Sequence, residues 1–170
     1  TFARIKSYSS EVDFMGLTSS ITPSWHLQSF FIFYSRKVFS SSFFKLHWFN
    51  IGILDSKYEI IMNYEVGWSS RLVRLGFKGI ALYGTSEATN PTHVNWESLL
   101  RSKYPYLKKE LIRDNPLKIN LDNLPNILRS QDLNWQASIL DYLRRYDREN
   151  SETAKLFLSS KSSVIKSSKD

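Results

Sequence analysis

The hydrophobic pattern of this chain changes period several times, and each change marks an expected element. Val12 to Leu17 is a short apolar run containing Gly16, which predicts a strand leading into a loop. Thr18 to Ser24 is rich in Ser and Thr, holds Pro23, and is expected to be that loop. His26 to Ser35 is mostly apolar and β-rich, the composition of a buried strand. Over Lys37 to Phe49, Val38, Phe43, Phe44, Leu46 and Trp48 fall at a helix-like spacing interrupted by serines. Ser56 with Glu59 three residues on is a capping-box pattern. It predicts a helix over Lys57 to Leu75, broken near Gly67. Ile60, Ile61, Tyr64, Trp68, Leu72 and Leu75 give that helix one apolar face. Gly76 stands where a helix-ending glycine belongs, and Phe77 to Tyr83 reads as a strand. The order strand, strand, helix, helix, strand predicts an α/β fold with helices covering a sheet.

The second half is helical in pattern. Asn90-Pro91-Thr92 is a turn opening a short helix with Trp96, Leu99 and Leu100 inside, and Pro105 interrupts it. Leu107 to Arg113, Leu121 to Leu128 and Gln136 to Arg145 are further helices. The last turns Ile139, Leu140 and Leu143 inward. Charge and then serine dominate from Asp147, and such a composition predicts disorder.

Composition narrows the function classes. The chain has 170 residues, 42% hydrophobic and 15% aromatic, enough to build a core. It has no cysteine, which excludes disulfides and thiolate chemistry. No run of about 18 apolar residues predicts a membrane-spanning helix. The net charge of +7 favours anionic partners. A basic module for nucleic acid or acidic partners is therefore the alternative reading. Against it, aromatic and basic residues do not alternate as a stacking platform requires, and no helix-turn-helix or zinc signature occurs.

A series of short motifs adds a family. Asp13-Phe14-Met15-Gly16-Leu17-Thr18, His26-Leu27-Gln28-Ser29-Phe30-Phe31, Tyr64-Glu65-Val66-Gly67, and Asn90-Pro91-Thr92 with Trp96 resemble the rhamnan synthesis protein F family of bacterial polysaccharide glycosyltransferases. Glu65 to Tyr83 also resembles the acid–helix–glycine–strand unit of GT-A glycosyltransferases, with Arg71, Leu72, Gly76 and Phe77 in matching places. The usual second acid is replaced by Val66. The resemblance implies a partial GT-A-like (Rossmann-like) domain over residues 1–118, its acceptor side. A helical extension over 119–146 and a disordered Ser/Lys-rich tail over 147–170 are expected to follow. It implies transfer of rhamnose from a dTDP-activated nucleotide-sugar donor to a surface polysaccharide or lipid-linked glycan, by an inverting displacement. A divalent metal, Mn or Mg, is expected, with its main ligands outside this chain. No acidic metal motif lies in Thr1 to Val12, so the nucleotide-binding half is expected upstream and the fragment alone inactive. The expected location is cytoplasmic, at the inner face of the membrane, with peripheral membrane association and no nucleic-acid partner.

Candidate residues follow. Glu65, at the mouth of a helix, is the expected catalytic base. The alternative is a carboxylate that only complements the helix dipole or pairs with Arg71 or Lys57. Asp13, Thr18, His26, Gln28 and Tyr64 are expected to bind substrate. His26 and Gln28 point to one side of a strand, and Gln28 offers both a donor and an acceptor to hydroxyls. Asp13, costly to bury unpartnered, can equally cap a loop. His93 is a candidate metal or diphosphate ligand. Trp25, Trp68 and Trp96 can stack on sugars, although core packing is expected for Trp68 and Trp96. Lys108, Lys109 and Arg113 form a basic helix face expected to be solvated.

Overall fold

The computed structural model describes residues 2–86, 90–131 and 135–166. The chain forms two compact units, residues 1–91 and 92–170. Residues 92–118, expected with the first domain, fall in the second unit. In the structure Trp96, Leu100, Leu111 and Ile112 of that stretch belong to the core of the second unit.

The first unit is mixed α/β. After helix α1 (Phe2–Tyr8), strands β1 (Phe14–Gly16) and β2 (Ser19–Ser20) run nearly end to end. β1 is the middle of one three-stranded sheet, antiparallel to β4 (Ile32–Tyr34) and parallel to β5 (Gly79–Ala81). β2 is the middle of a second, antiparallel to β3 (His26–Leu27) and parallel to β6 (Thr85–Ser86). The amides of Leu82 and Tyr83 donate to the carbonyls of Gly16 and Leu17 (3.0 and 2.9 Å), so pairing continues between the two sheets. The expected loop therefore begins later than its Ser and Thr content suggested. Thr18, Ser19 and Ser20 are fully buried within the paired ribbon. The single strand expected over His26 to Ser35 is two, separated at Gln28 to Phe31.

Serine chemistry explains the helices that follow. The expected helix from Lys37 to Phe49 is divided into α2 (Arg36–Phe39) and α3 (Ser42–Phe49). Each has its own serine N-cap: Ser35 accepts from the Val38 amide and Ser41 from the Phe44 amide. Ser56 and Glu59 cap α4 (Lys57–Ile60) reciprocally, as the capping box requires.

The long helix continues through a π-helical turn, Ile61–Val66, into α5 (Gly67–Arg74). Gly67 explains the wide turn. Its amide donates to the Met62 carbonyl five residues back, and a Cβ at this position would lie 2.8 Å from that oxygen. Any side chain would press on the bond that defines the turn. α5 ends in a Schellman motif. Gly76 adopts φ 82°, its amide donates to Val73, and the Phe77 amide donates to Leu72 (2.9 and 3.1 Å).

The core of this unit gathers Phe14, Leu27, Val38, Phe44, Trp68 and Leu72 between the first sheet, α3 and α5. Trp68 is 2% exposed and its indole N–H donates to the Tyr34 hydroxyl at 2.8 Å. A buried aromatic of this size removes about 150–250 Å² from water. At about 25 cal/mol/Å² that is worth roughly 4–6 kcal/mol before entropy is counted.

The second unit is helical: α6 (Pro91–Val94, which starts at the boundary), α7 (Trp96–Arg101), α8 (Lys109–Arg113), α9 (Leu124–Ser130), α10 (Gln136–Arg144) and α11 (Glu152–Lys166). Leu111, Leu124, Leu143, Ala154 and Phe157 meet in its core. Within the tail expected to be disordered, residues 152–166 form α11, because Ala154 and Phe157 supply an apolar contact at i and i+3 that the serine-rich composition conceals, and residues 167–170 lie outside the described residues.

Candidate functional site

The π turn and the strands beside it bring four of the expected site residues into one neighbourhood of the first unit. Glu65 lies in the π turn and is half-buried. Its carboxylate accepts a hydrogen bond from the Ser29 amide at 3.3 Å and another from the Ser29 hydroxyl. An extra residue in a helical turn rotates the side chains that follow relative to regular α geometry, and such turns recur at functional sites. Here the turn presents Glu65 to the β3–β4 connection.

Gln28 precedes Ser29. Its Oε1 accepts from the Thr18 hydroxyl at 2.6 Å, and its amide donates to the Thr18 carbonyl at 3.1 Å. Thr18 is fully buried, so it acts as the support that orients Gln28. The Gln28 NH₂ group has no acceptor among the described residues and is left as a donor beside Ser29. His26 is buried, and its Nδ1 lies 2.8 Å from the Ser24 carbonyl, which places the proton on Nδ1. Ser69 of α5 accepts from the Leu27 amide at 3.1 Å, fastening β3 to the helix that continues from Glu65. Thr18, His26, Gln28 and Glu65 thus share one structural neighbourhood.

Asp13 and Tyr64 are engaged by other partners. Asp13 stands at the far end of the strand from Thr18, about 16 Å away at strand rise. It accepts from the Lys78 amide at 2.9 Å and forms an ion pair with Lys37 at 3.0 Å. Burial pushes its carboxyl up, and the Lys78 amide and the Lys37 ammonium together outweigh that and hold it below the usual aspartate value. The Tyr64 hydroxyl accepts from the Gly52 amide and donates to the Gly52 carbonyl (2.9 and 3.0 Å), which pins the loop between α3 and α4.

His93 belongs to the second unit, where it is buried with its Nε2 3.4 Å from Glu110. Glu110 also pairs with Lys108. Among the described residues no group of three or more His, Cys, Asp or Glu side chains is placed to hold a metal ion. The basic helix face is internally engaged as well. Lys109 lies over the Tyr142 ring, and Arg113 pairs with Asp114 and lies over Tyr146. Trp68 and Trp96 are core residues, while Trp25 packs edge-on against Phe14.

Sequence reasoning missed two partners. Ser29 stands inside the His26-to-Phe31 motif, but nothing local marks it as the ligand of a carboxylate 36 residues away. Ser69, on an amphipathic helix, reads as a neutral small residue.

The two sheets and the capped, π-interrupted helix define a mixed α/β protein with a polar edge formed by Thr18, Gln28, Ser29 and Glu65. Residues 1–167 match the family described as rhamnan synthesis protein F, and the chain belongs to that family. Membership implies a role in rhamnan or related polysaccharide synthesis. Comparison with curated proteins gave no match, and comparison with solved structures gave none. No helix among the described residues is long and apolar enough to cross a membrane.

Proposed function

We propose that this chain forms the acceptor side of a GT-A-like glycosyltransferase in which Glu65 is the general base. The observation that carries the reading is the Glu65–Ser29 contact. A carboxylate is held by two donors from one residue, on a π turn, beside the Gln28 side-chain NH₂ group, which has no acceptor among the described residues. In the proposed step the acceptor hydroxyl gives its proton to Glu65 while its oxygen bonds to the anomeric carbon of the activated sugar. The bond from that carbon to the diphosphate oxygen breaks, and the nucleoside diphosphate leaves with the electron pair. Attack opposite the leaving group inverts the anomeric centre. Gln28 binds a sugar hydroxyl and Thr18 orients it. His26 supports the same strand, and Asp13 and Tyr64 hold the scaffold.

Family membership supports rhamnose, from a dTDP-activated donor, as the transferred sugar, and a surface polysaccharide or lipid-linked glycan as the acceptor. A reaction of this kind commonly uses a divalent metal at the diphosphate. The described residues offer no set of ligands for one.

The test is Glu65→Gln in the full-length enzyme. Glutamine keeps an acceptor for both Ser29 donors and cannot take the proton. A fall of about 100-fold or more in transfer rate is expected. Transfer at the wild-type rate removes Glu65 from the role of base.

A further inference from the structure

Helix α3 is apolar on both sides. Its inner side buries Phe44 and His47, while Leu46, Trp48 and Phe49 on the other side are exposed. A helix hydrophobic all round is normally surrounded by apolar material. The exposed set continues past the helix: Phe49 is 87% exposed, Ile51 42% and Ile53 101%. Contiguous exposed apolar groups of this kind mark an interaction surface, and tryptophan is favoured where apolar and aqueous phases meet.

Beside this surface lies a cavity of about 310 Å³ between α3 and the π turn, with Leu46 and Leu54 in its wall. That is the lower end of ligand-site volumes. Its one charged group is Arg71, whose guanidinium has no hydrogen-bond or carboxylate partner among the described residues. His47 adds an imidazole that is stacked on Trp68 at 3.8 Å and has no hydrogen-bond partner among the described residues. Asn50 and Asn63 donate their NH₂ groups to the Leu46 and Glu59 carbonyls, which leaves their side-chain oxygens as acceptors. The cavity therefore offers an uncompensated cation, a neutral imidazole and two acceptors, and no acid. Lys45, Lys57 and Arg74 are exposed cations close in sequence to the lining residues.

We propose that this cavity takes the phosphate headgroup of an amphiphile whose apolar chains lie along Leu46, Phe49 and Ile53. Arg71 binds the phosphate oxygens, His47 donates to them, and Asn50 and Asn63 accept from headgroup hydroxyls. The shared chemistry is an organic phosphate, and its source is either a membrane surface or a soluble phosphate ester. The exposed apolar belt beside the cavity favours the membrane. The inference concerns a site other than Glu65 and needs no sugar donor, so its failure leaves the transfer reading standing.

The experiment measures binding of the full chain to vesicles of phosphatidylcholine alone, to phosphatidylcholine with phosphatidylglycerol, and to soluble glycerol 3-phosphate. Binding is expected to the phosphatidylglycerol vesicles, with a blue-shifted tryptophan emission that Trp48→Phe abolishes. Arg71→Gln is expected to weaken it about fivefold, the effect of one cation at an anionic surface. Lys6→Gln, a charge control on α1, is expected to change it less than about twofold. Phe49→Ser combined with Ile53→Ser is expected to weaken vesicle binding about tenfold or more through lost apolar burial. All these positions are exposed, Trp48 also packing against the Phe44 ring, and circular dichroism checks the fold. Equal binding of Arg71→Gln and wild type overturns the proposal. So does equal binding to both vesicle types, or binding of glycerol 3-phosphate as tight as that of the vesicles.

Discussion

Glu65 and Ser29 are joined by two hydrogen bonds across 36 residues of sequence, the amide and the hydroxyl of Ser29 both pointing at one carboxylate oxygen. The contact fixes the carboxylate at the edge of the β3–β4 connection. If Glu65 accepts a proton from substrate, Ser29 sets where that proton arrives. Ser29→Ala removes one charge-assisted bond and keeps the amide. Loss of such a bond is worth about 1.5–3 kcal/mol, so transfer should fall roughly 10- to 100-fold, with thermal stability close to wild type. A rate unchanged by Ser29→Ala would show that the contact plays no part in positioning.

Gly67→Ala reverses the usual rule. Alanine in a helix normally stabilises by about 0.5–1 kcal/mol relative to glycine. Here its Cβ meets the Met62 carbonyl at 2.8 Å. Either the π turn closes to α geometry and carries Glu65 away from Ser29, or the strain remains. A loss of about 1–3 kcal/mol in urea unfolding is expected. A gain in stability would show that the turn relaxes without cost.

Ser69→Ala tests the fastening of β3. The Leu27 amide is buried, and its acceptor is the Ser69 hydroxyl. An unsatisfied buried donor costs about 1–3 kcal/mol, and amide exchange at Leu27 should accelerate while α10 and α11 stay protected. Unchanged exchange at Leu27 would mean that the bond contributes nothing to holding the strand.

The pH dependence of stability should carry the mark of His47. Burial against Trp68, and then the nearby Arg71, hold its pKa below the usual histidine value. The folded state binds its proton less readily than the unfolded state. Stability is therefore full above about pH 6.5 and declines as the pH falls from there through the lowered folded value. Thermal melts between pH 8 and pH 5 should show this decline, and His47→Phe, which keeps a stacked ring, should flatten it. An equally steep decline in the variant would place the titration elsewhere.

Much of the local structure was legible in the sequence because its causes are local. The Ser56–Glu59 capping box, the Gly76 helix end and the Trp96, Leu99 and Leu100 core face all appear where the spacing places them. The division of the expected Lys37-to-Phe49 helix at Ser41 is local too, since its serine caps a new helix where the pattern showed only an interruption. The ordered motifs also identified the family that residues 1–167 match.

Tertiary structure decided what long-range contacts decide. Ser19 and Ser20 are buried because their strand continues between two partners, which no composition of Ser and Thr announces. Asp13 and Tyr64 look like site residues in sequence, and only the fold shows Asp13 engaged by Lys37 and Lys78 and Tyr64 by Gly52. Residues 152–166 are helical because Ala154 and Phe157 find the core of the second unit. Glu65 was visible from sequence as an acid on a helix. Only the fold supplied Ser29, because a hydrogen bond between residues so far apart depends on the path of the whole chain between them.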